Sequence, residues 1–146
     1  MNRTSIQLSK TKTRNIDGLV QTGTNAAFCD AVRVSVGKET LLYISGQTPI
    51  DDNGFLVGKT MAEQTRQVLG RIENILKHEG ATMDNVVRVR VYTTDISPQS
   101  LGQIHATRNE FFNSENLPAS TLVEISGIIR KGAMIEIDAE AVISEK

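Results

Sequence analysis

The 146-residue chain has no tryptophan, two tyrosines and four phenylalanines, so aromatics make up only 4% of it. That is too few for a surface on which successive nucleic-acid bases could stack. Cysteine is as scarce: a lone Cys29 permits neither an internal disulfide framework nor a multi-cysteine metal site. Charge of one sign is missing too, with 16 Lys and Arg against 17 Asp and Glu and a formal net charge of −1. Such a chain exerts no broad attraction on phosphate backbones or anionic lipid, which argues against nucleic acid and membrane as partners. Apolar runs stop at about four residues, far short of the ~20 that cross a bilayer. The segment Met1–Leu8 lacks the apolar core of a secretion signal. The expectation is a cytoplasmic protein. The sequence contains no GxxxxGK-S/T, GxGxxG or GxSxG pattern, and His78 and His105 have no Cys or His at metal-ligand spacing. Neither a cofactor nor a metal is expected.

What the chain does have is enough apolar residue, 39%, for one ordinary core. Residues 1–25 are polar, with Lys10, Lys12 and Arg14 in a Ser/Thr background. They read as an irregular lead-in with a short strand around Leu19–Thr22. Residues 26–146 read as a single domain. Ala31–Val36 alternates, Gly37-Lys38 turns, and Leu41–Ser45 returns as a second strand. Met61, Thr65, Val68, Leu69, Ile72, Ile75 and Leu76 recur at helical spacing, and Gly80 ends that helix. In Val86–Tyr92, alternation puts Val87, Val89 and Val91 on one face and Arg88, Arg90 and Tyr92 on the other. Ser97-Pro98 opens a second helix carrying Leu101, Ile104, Phe111 and Phe112. Strands over Ser120–Ser126 and Ala133–Val142 complete a β-β-α-β-α-β-β order. This is α+β: a mixed β-sheet with two helices on one face. The opposite face, bearing two arginines and a tyrosine, is left for a partner.

Two segments carry possible chemistry. Ser45-Gly46-Gln47-Thr48-Pro49 ends a strand with a glycine. That residue either marks a structural bulge or lets backbone N–H groups approach a ligand. Met134, Glu136, Asp138 and Glu140 share one face of the last strand. That face is either solvated or, if buried at a subunit edge, holds a carboxyl whose raised pKa suits proton transfer. Cys29 has no basic neighbour in sequence and reads as a small packed side chain.

Tyr43–Pro49, Glu63-Gln64-Thr65, Gly80-Ala81-Thr82 with Val86-Val87-Arg88, Asn113 to Pro118-Ala119, and Ile135–Ala139 together resemble the Rid family. These are the reactive intermediate deaminases, also called the YjgF family, and the likeness spans roughly residues 26–143. The resemblance implies the chorismate-mutase-like YjgF fold and a homotrimer with a central barrel-like core. It implies small-molecule clefts at the subunit interfaces and hydrolysis of enamines and imines such as 2-aminoacrylate to 2-keto acids and ammonia. It also marks Glu136 as the retained catalytic glutamate.

Deaminating members carry an arginine directly after Pro-Ala to clamp the substrate carboxylate; here Ser120 stands there. Phe28 replaces a cleft tyrosine, His105 a cleft asparagine, and the 127–132 loop is one residue longer. Losing even one charge-assisted bond costs ~1.5–3 kcal/mol, about tenfold to a hundredfold in rate. Either Arg88 or Arg90 supplies the charge, or the substrate is not a simple amino-acid-derived carboxylate. The expected enzyme is a Rid-like hydrolase of an imine, enamine or related C–N metabolite other than generic 2-aminoacrylate. Glu136 and His105 are its catalytic candidates, and Phe28, Ser45, Gly46, Arg88 and Ser120 its substrate-binding candidates. The rival reading is a non-catalytic trimer that binds a small metabolite and regulates or protects a partner. Ribonuclease activity, the third class weighed, is disfavoured by charge and aromatic content.

Overall fold

A computed structural model describes residues 2–8, 16 and 18–144. One six-stranded sheet runs β1 (Asn2–Ile6), β2 (Ala31–Val36), β3 (Glu39–Gln47), β6 (Ile135–Ser144), β4 (Val86–Thr93), β5 (Ala119–Glu124). Neighbours are antiparallel except β4 and β5, which run parallel because a helix returns the chain between them. The helices are α1 (Met61–His78) and α2 (Pro98–Phe111). No helix among the described residues is long and apolar enough to cross a membrane.

The local chemistry explains these elements. Thr60 accepts the Glu63 N–H at the start of α1, and Gly80 (φ +74°) lets Ala81 N–H reach back to the Leu76 carbonyl. Ser97 caps α2 through the Ser100 N–H, with Pro98 at its first turn. The apolar stripe of α1 meets Leu42, Ile44, Val89, Val91, Ile135 and Ile137, all on the same sheet face. The other sheet face, with Tyr43, Arg88, Arg90, Tyr92, Glu136, Asp138 and Glu140, has no element of this chain over it among the described residues.

Three expectations need correction. The lead-in is not wholly irregular: Asn2–Ile6 is a strand paired to β2, in register Asn2↔Ser35 to Ile6↔Ala31. Only Ile6 of it is buried, so this edge strand has no apolar alternation for the sequence to show. Leu19–Thr22 forms no strand; Val20–Thr22 is a single 3₁₀ turn ended by Gly23 at φ +72°. The residues numbered 9–15 fall outside those described. Finally, Val87 does not join Val89 and Val91. The β4–β6 register shifts between Val86 and Arg88, so Val86 is buried and Val87 is 48% exposed.

Candidate active site

The β3–β6 pairing slips between Ile44 and Gln47, which makes Ser45-Gly46 a bulge. The bulge is also a close approach, though to a side chain rather than to a ligand. A Cβ added at Gly46 would stand 2.6 Å from Glu136 Oε2 and 3.0 Å from its Cδ. Glycine leaves room there for the Glu136 carboxyl where it stands, and a larger residue would displace it. Ser45 ties the bulge to the chain before β2, donating its hydroxyl to the Cys29 carbonyl (2.6 Å) and its N–H to the Asp30 carbonyl. Phe28 thereby stands at the rim of the same recess.

That recess has a volume of about 310 Å³, with Phe28, Ser45, Gly46, Arg71, Ile129 and Glu136 in its lining. Phe28 and Ile129 are exposed large apolar side chains at its wall. Tyr92, Gly127, Ile128 and Asp138 border a second recess of about 360 Å³, which shares Gly46, Ile129 and Glu136 with the first. Glu136 therefore opens onto both. Burial, with repulsion from Asp138 as a smaller cause, pushes its carboxyl above the usual carboxylate range.

Behind the site, buried Gln64 holds three backbone groups. Its Oε1 accepts the Met134 N–H (2.7 Å), and its Nε2 donates to the Gly58 and Gly132 carbonyls (3.2 and 3.1 Å). This clamp fixes Gly132, at the end of the 127–132 loop, and Met134, two residues before Glu136. Helical periodicity gives no sign of this role for Gln64. The signal available was its presence within Glu63-Gln64-Thr65.

The remaining candidates lie elsewhere. His105 and Ser120 line a recess of about 200 Å³ with Arg108, Asn109, Phe112, Leu117 and Pro118. Ser120 pairs with Val89, a core residue, so its side chain is on the helix side of the sheet. Glu136 pairs with Tyr92, on the open side. Within one protomer the sheet separates the two groups. Arg88 is on the open face but opposite Glu140, four residues or about 13 Å of strand from Tyr92. Its Nη2 donates to Thr121 Oγ1 at 2.9 Å. Arg90 is held by Asp138 (3.0 Å) and Glu140 (3.4 Å). Neither arginine reaches the Ser120 recess. The cation there is Arg108, whose Nη2 donates to Ser120 Oγ at 3.0 Å. Burial, and then the Arg108 charge, lower the His105 pKa below its ordinary value.

Two helices on one face of this mixed sheet define an α+β domain of the YjgF type. The chain belongs to the family described as Endoribonuclease L-PSP, whose model matches residues 21–143. It is 32% identical over 125 residues to the 2-iminobutanoate/2-iminopropanoate deaminase of Rattus norvegicus, covering 85% of this chain and 88% of that one. A RutC family protein of Pyrococcus horikoshii is 38% identical over 102 residues, covering 68% and 77%. Among solved structures, the Rid-family protein YyfA of Yersinia pestis superposes with a TM-score of 0.75 at 28% identity, over 97% of this chain and all of that one.

Proposed function

We propose that this protein is a homotrimeric hydrolase of imines or enamines, with a composite site where two protomers meet. One protomer contributes Glu136, Gly46, Ser45 and Phe28, and its neighbour contributes His105 and Ser120. The observation that carries the reading is Glu136: a carboxyl in a strand interior, pressed against a glycine, raised in pKa and open to two recesses. The deaminase relative and the uncovered sheet face support it.

The chemistry balances simply. Water adds across C=N, with Glu136 accepting the water proton as the C–O bond forms and the imine nitrogen gaining one. The carbinolamine then collapses to a carbonyl: its hydroxyl proton passes to the nitrogen, the C–N bond breaks and ammonia leaves. A carboxyl whose pKa burial raises takes that proton more readily than an ordinary carboxylate does, and can return it. His105, neutral near pH 7, has an N–H to donate and a ring nitrogen to accept through. An enamine first takes a proton on carbon and then follows the same path.

Ammonia release from a panel of freshly generated imines tests the activity. Release lost in Glu136→Gln supports it. No release from any imine, with a metabolite still bound, transfers the reading to a binding or regulatory trimer. Sedimentation equilibrium tests the assembly: three chains of 16.0 kDa weigh 48 kDa, and a mass near 16 kDa at micromolar concentration excludes a site shared between copies.

A further inference from the structure

Among the described residues, Arg108 is a buried arginine that borders a recess and has no ion pair to answer its charge. It lies in the last turn of α2, only 8% exposed, and makes a single side-chain bond, to neutral Ser120. Its Nη1 is buried without a hydrogen-bond partner among the described residues. No carboxylate pairs with it there, although Arg33, Arg66 and Arg90 each have one. The C-terminal end of the α2 dipole offsets part of that burial, yet a dipole does not occupy an N–H donor. A guanidinium does not shed its charge to escape such a place. Folds tolerate a buried charge when something of opposite sign completes it.

We propose that Arg108, with Ser120, forms a carboxylate-binding subsite, replacing from helix α2 the charge absent from position 120 on β5. Arg108 and Ser120 both border one recess of about 200 Å³, which Phe112, Leu117 and Pro118 line with apolar surface, and the unpartnered Nη1 belongs to the same guanidinium. That combination fits a small organic acid: an anionic end on the guanidinium and a short carbon chain against the apolar wall. His105 precedes Arg108 by three residues on the same helix face and borders the same recess. The subsite rests on the hydrolase reading only for its role in turnover, because anion binding can be measured without turnover.

The probe is pyruvate, with uncharged pyruvamide as its control, titrated into the full-length protein while His105 ring resonances are followed by NMR. Wild type is expected to show saturable shifts with pyruvate and at least tenfold weaker ones with pyruvamide. Arg108→Met is expected to weaken pyruvate at least tenfold, and Ser120→Ala severalfold. Arg108→Met removes a buried unpaired charge, so it is expected to melt no lower than wild type, and Arg108→Lys is expected to recover part of the affinity. Pyruvate binding unchanged in a folded Arg108→Met protein overturns the proposal. So does a lowered melting temperature with loss of the oligomer and no response to pyruvate, which would assign the guanidinium to a carboxylate of a second copy. Imine turnover unaffected by Arg108→Met sinks the subsite and leaves the hydrolase reading standing. Arg108-dependent binding without any imine turnover does the reverse.

Discussion

Replacing Gly46 by alanine adds one methyl group, and the geometry states what it meets. The new Cβ would stand 2.6 Å from Glu136 Oε2, whereas an ordinary contact begins near 3.4 Å, so the carboxylate must retreat by about 0.8 Å. The backbone at Gly46 is not among the positive-φ glycines, so alanine itself fits the strand. What yields is the end of a flexible side chain that borders recesses of about 310 and 360 Å³. An off-rotamer glutamate costs about 0.5–1.5 kcal/mol. The lost freedom of the unfolded chain returns about 0.4–1 kcal/mol. The net change in stability is then within about 1 kcal/mol, a shift in Tm of no more than ~4 °C.

Activity should respond far more. Misplacing a reacting group by about 1 Å can cost ~10²-fold. The assay is ammonia release by wild type, Gly46→Ala, Glu136→Gln and the double variant, with melts in parallel. Because the methyl acts through the carboxylate, the double variant should be no slower than Glu136→Gln alone. Two refuting results are concrete. Multiplying effects in the double variant would show that Gly46 acts on something other than Glu136. Wild-type turnover by Gly46→Ala would show that the carboxylate position does not matter.

Three further outcomes follow from the same coordinates. Glu136 binds its proton more tightly folded than unfolded, so its contribution to stability declines as pH rises from the ordinary carboxylate range through the raised value; Glu136→Gln should melt higher than wild type at pH 7–8, and the gap should close by pH 4. Gln64→Leu strands the Met134 N–H and two carbonyls, so chemical denaturation should show a loss of roughly 2–4 kcal/mol, and a loss below about 1 kcal/mol would mean those groups find other partners. Small imines of the 2-aminoacrylate type should turn over slowly, since a guanidinium reaching in from α2 holds a carboxylate elsewhere than one on β5; rates matching an arginine-bearing relative would refute this.

The sequence showed most clearly what one period governs. Helix α1 was legible because its stripe recurs at 3.6 residues between a threonine cap and a glycine stop. The even positions of β6 were legible because period-two alternation is unbroken from Ile135 to Ala141. Features set by a partner strand were not legible. The bulge that exposes Val87 depends on the register against β6, and β1 is defined by its pairing to β2 rather than by any pattern of its own. The candidate site divides the same way. Glu136 and Gly46 each stood out, but their contact did not, because 90 residues separate them and only the β3–β6 pairing brings them together.

Arg108 shows why a missing motif residue is weak ground for a missing function. The gap at position 120 is a statement about β5 alone, and the charge it calls for can be delivered by any element that borders the same recess. Arg88 and Arg90 were natural substitutes by proximity in sequence to a strand of the site, yet both are on the open face and both have partners. The helix offers what the strand does not, since a long side chain from the last turn of α2 reaches Ser120 on β5. The cost is visible: burial lowers the Arg108 pKa with no opposing charge to raise it. On the proposal above, an anion entering the recess offsets that cost while the guanidinium fixes its orientation. Because Glu136 is on the far side of the sheet, that orientation serves catalysis only if the anion spans to a neighbouring copy. On the proposed reading, assembly and substrate positioning are one requirement, and a variant that dissociates the proposed homotrimer is expected to lose turnover while each protomer keeps pyruvate binding.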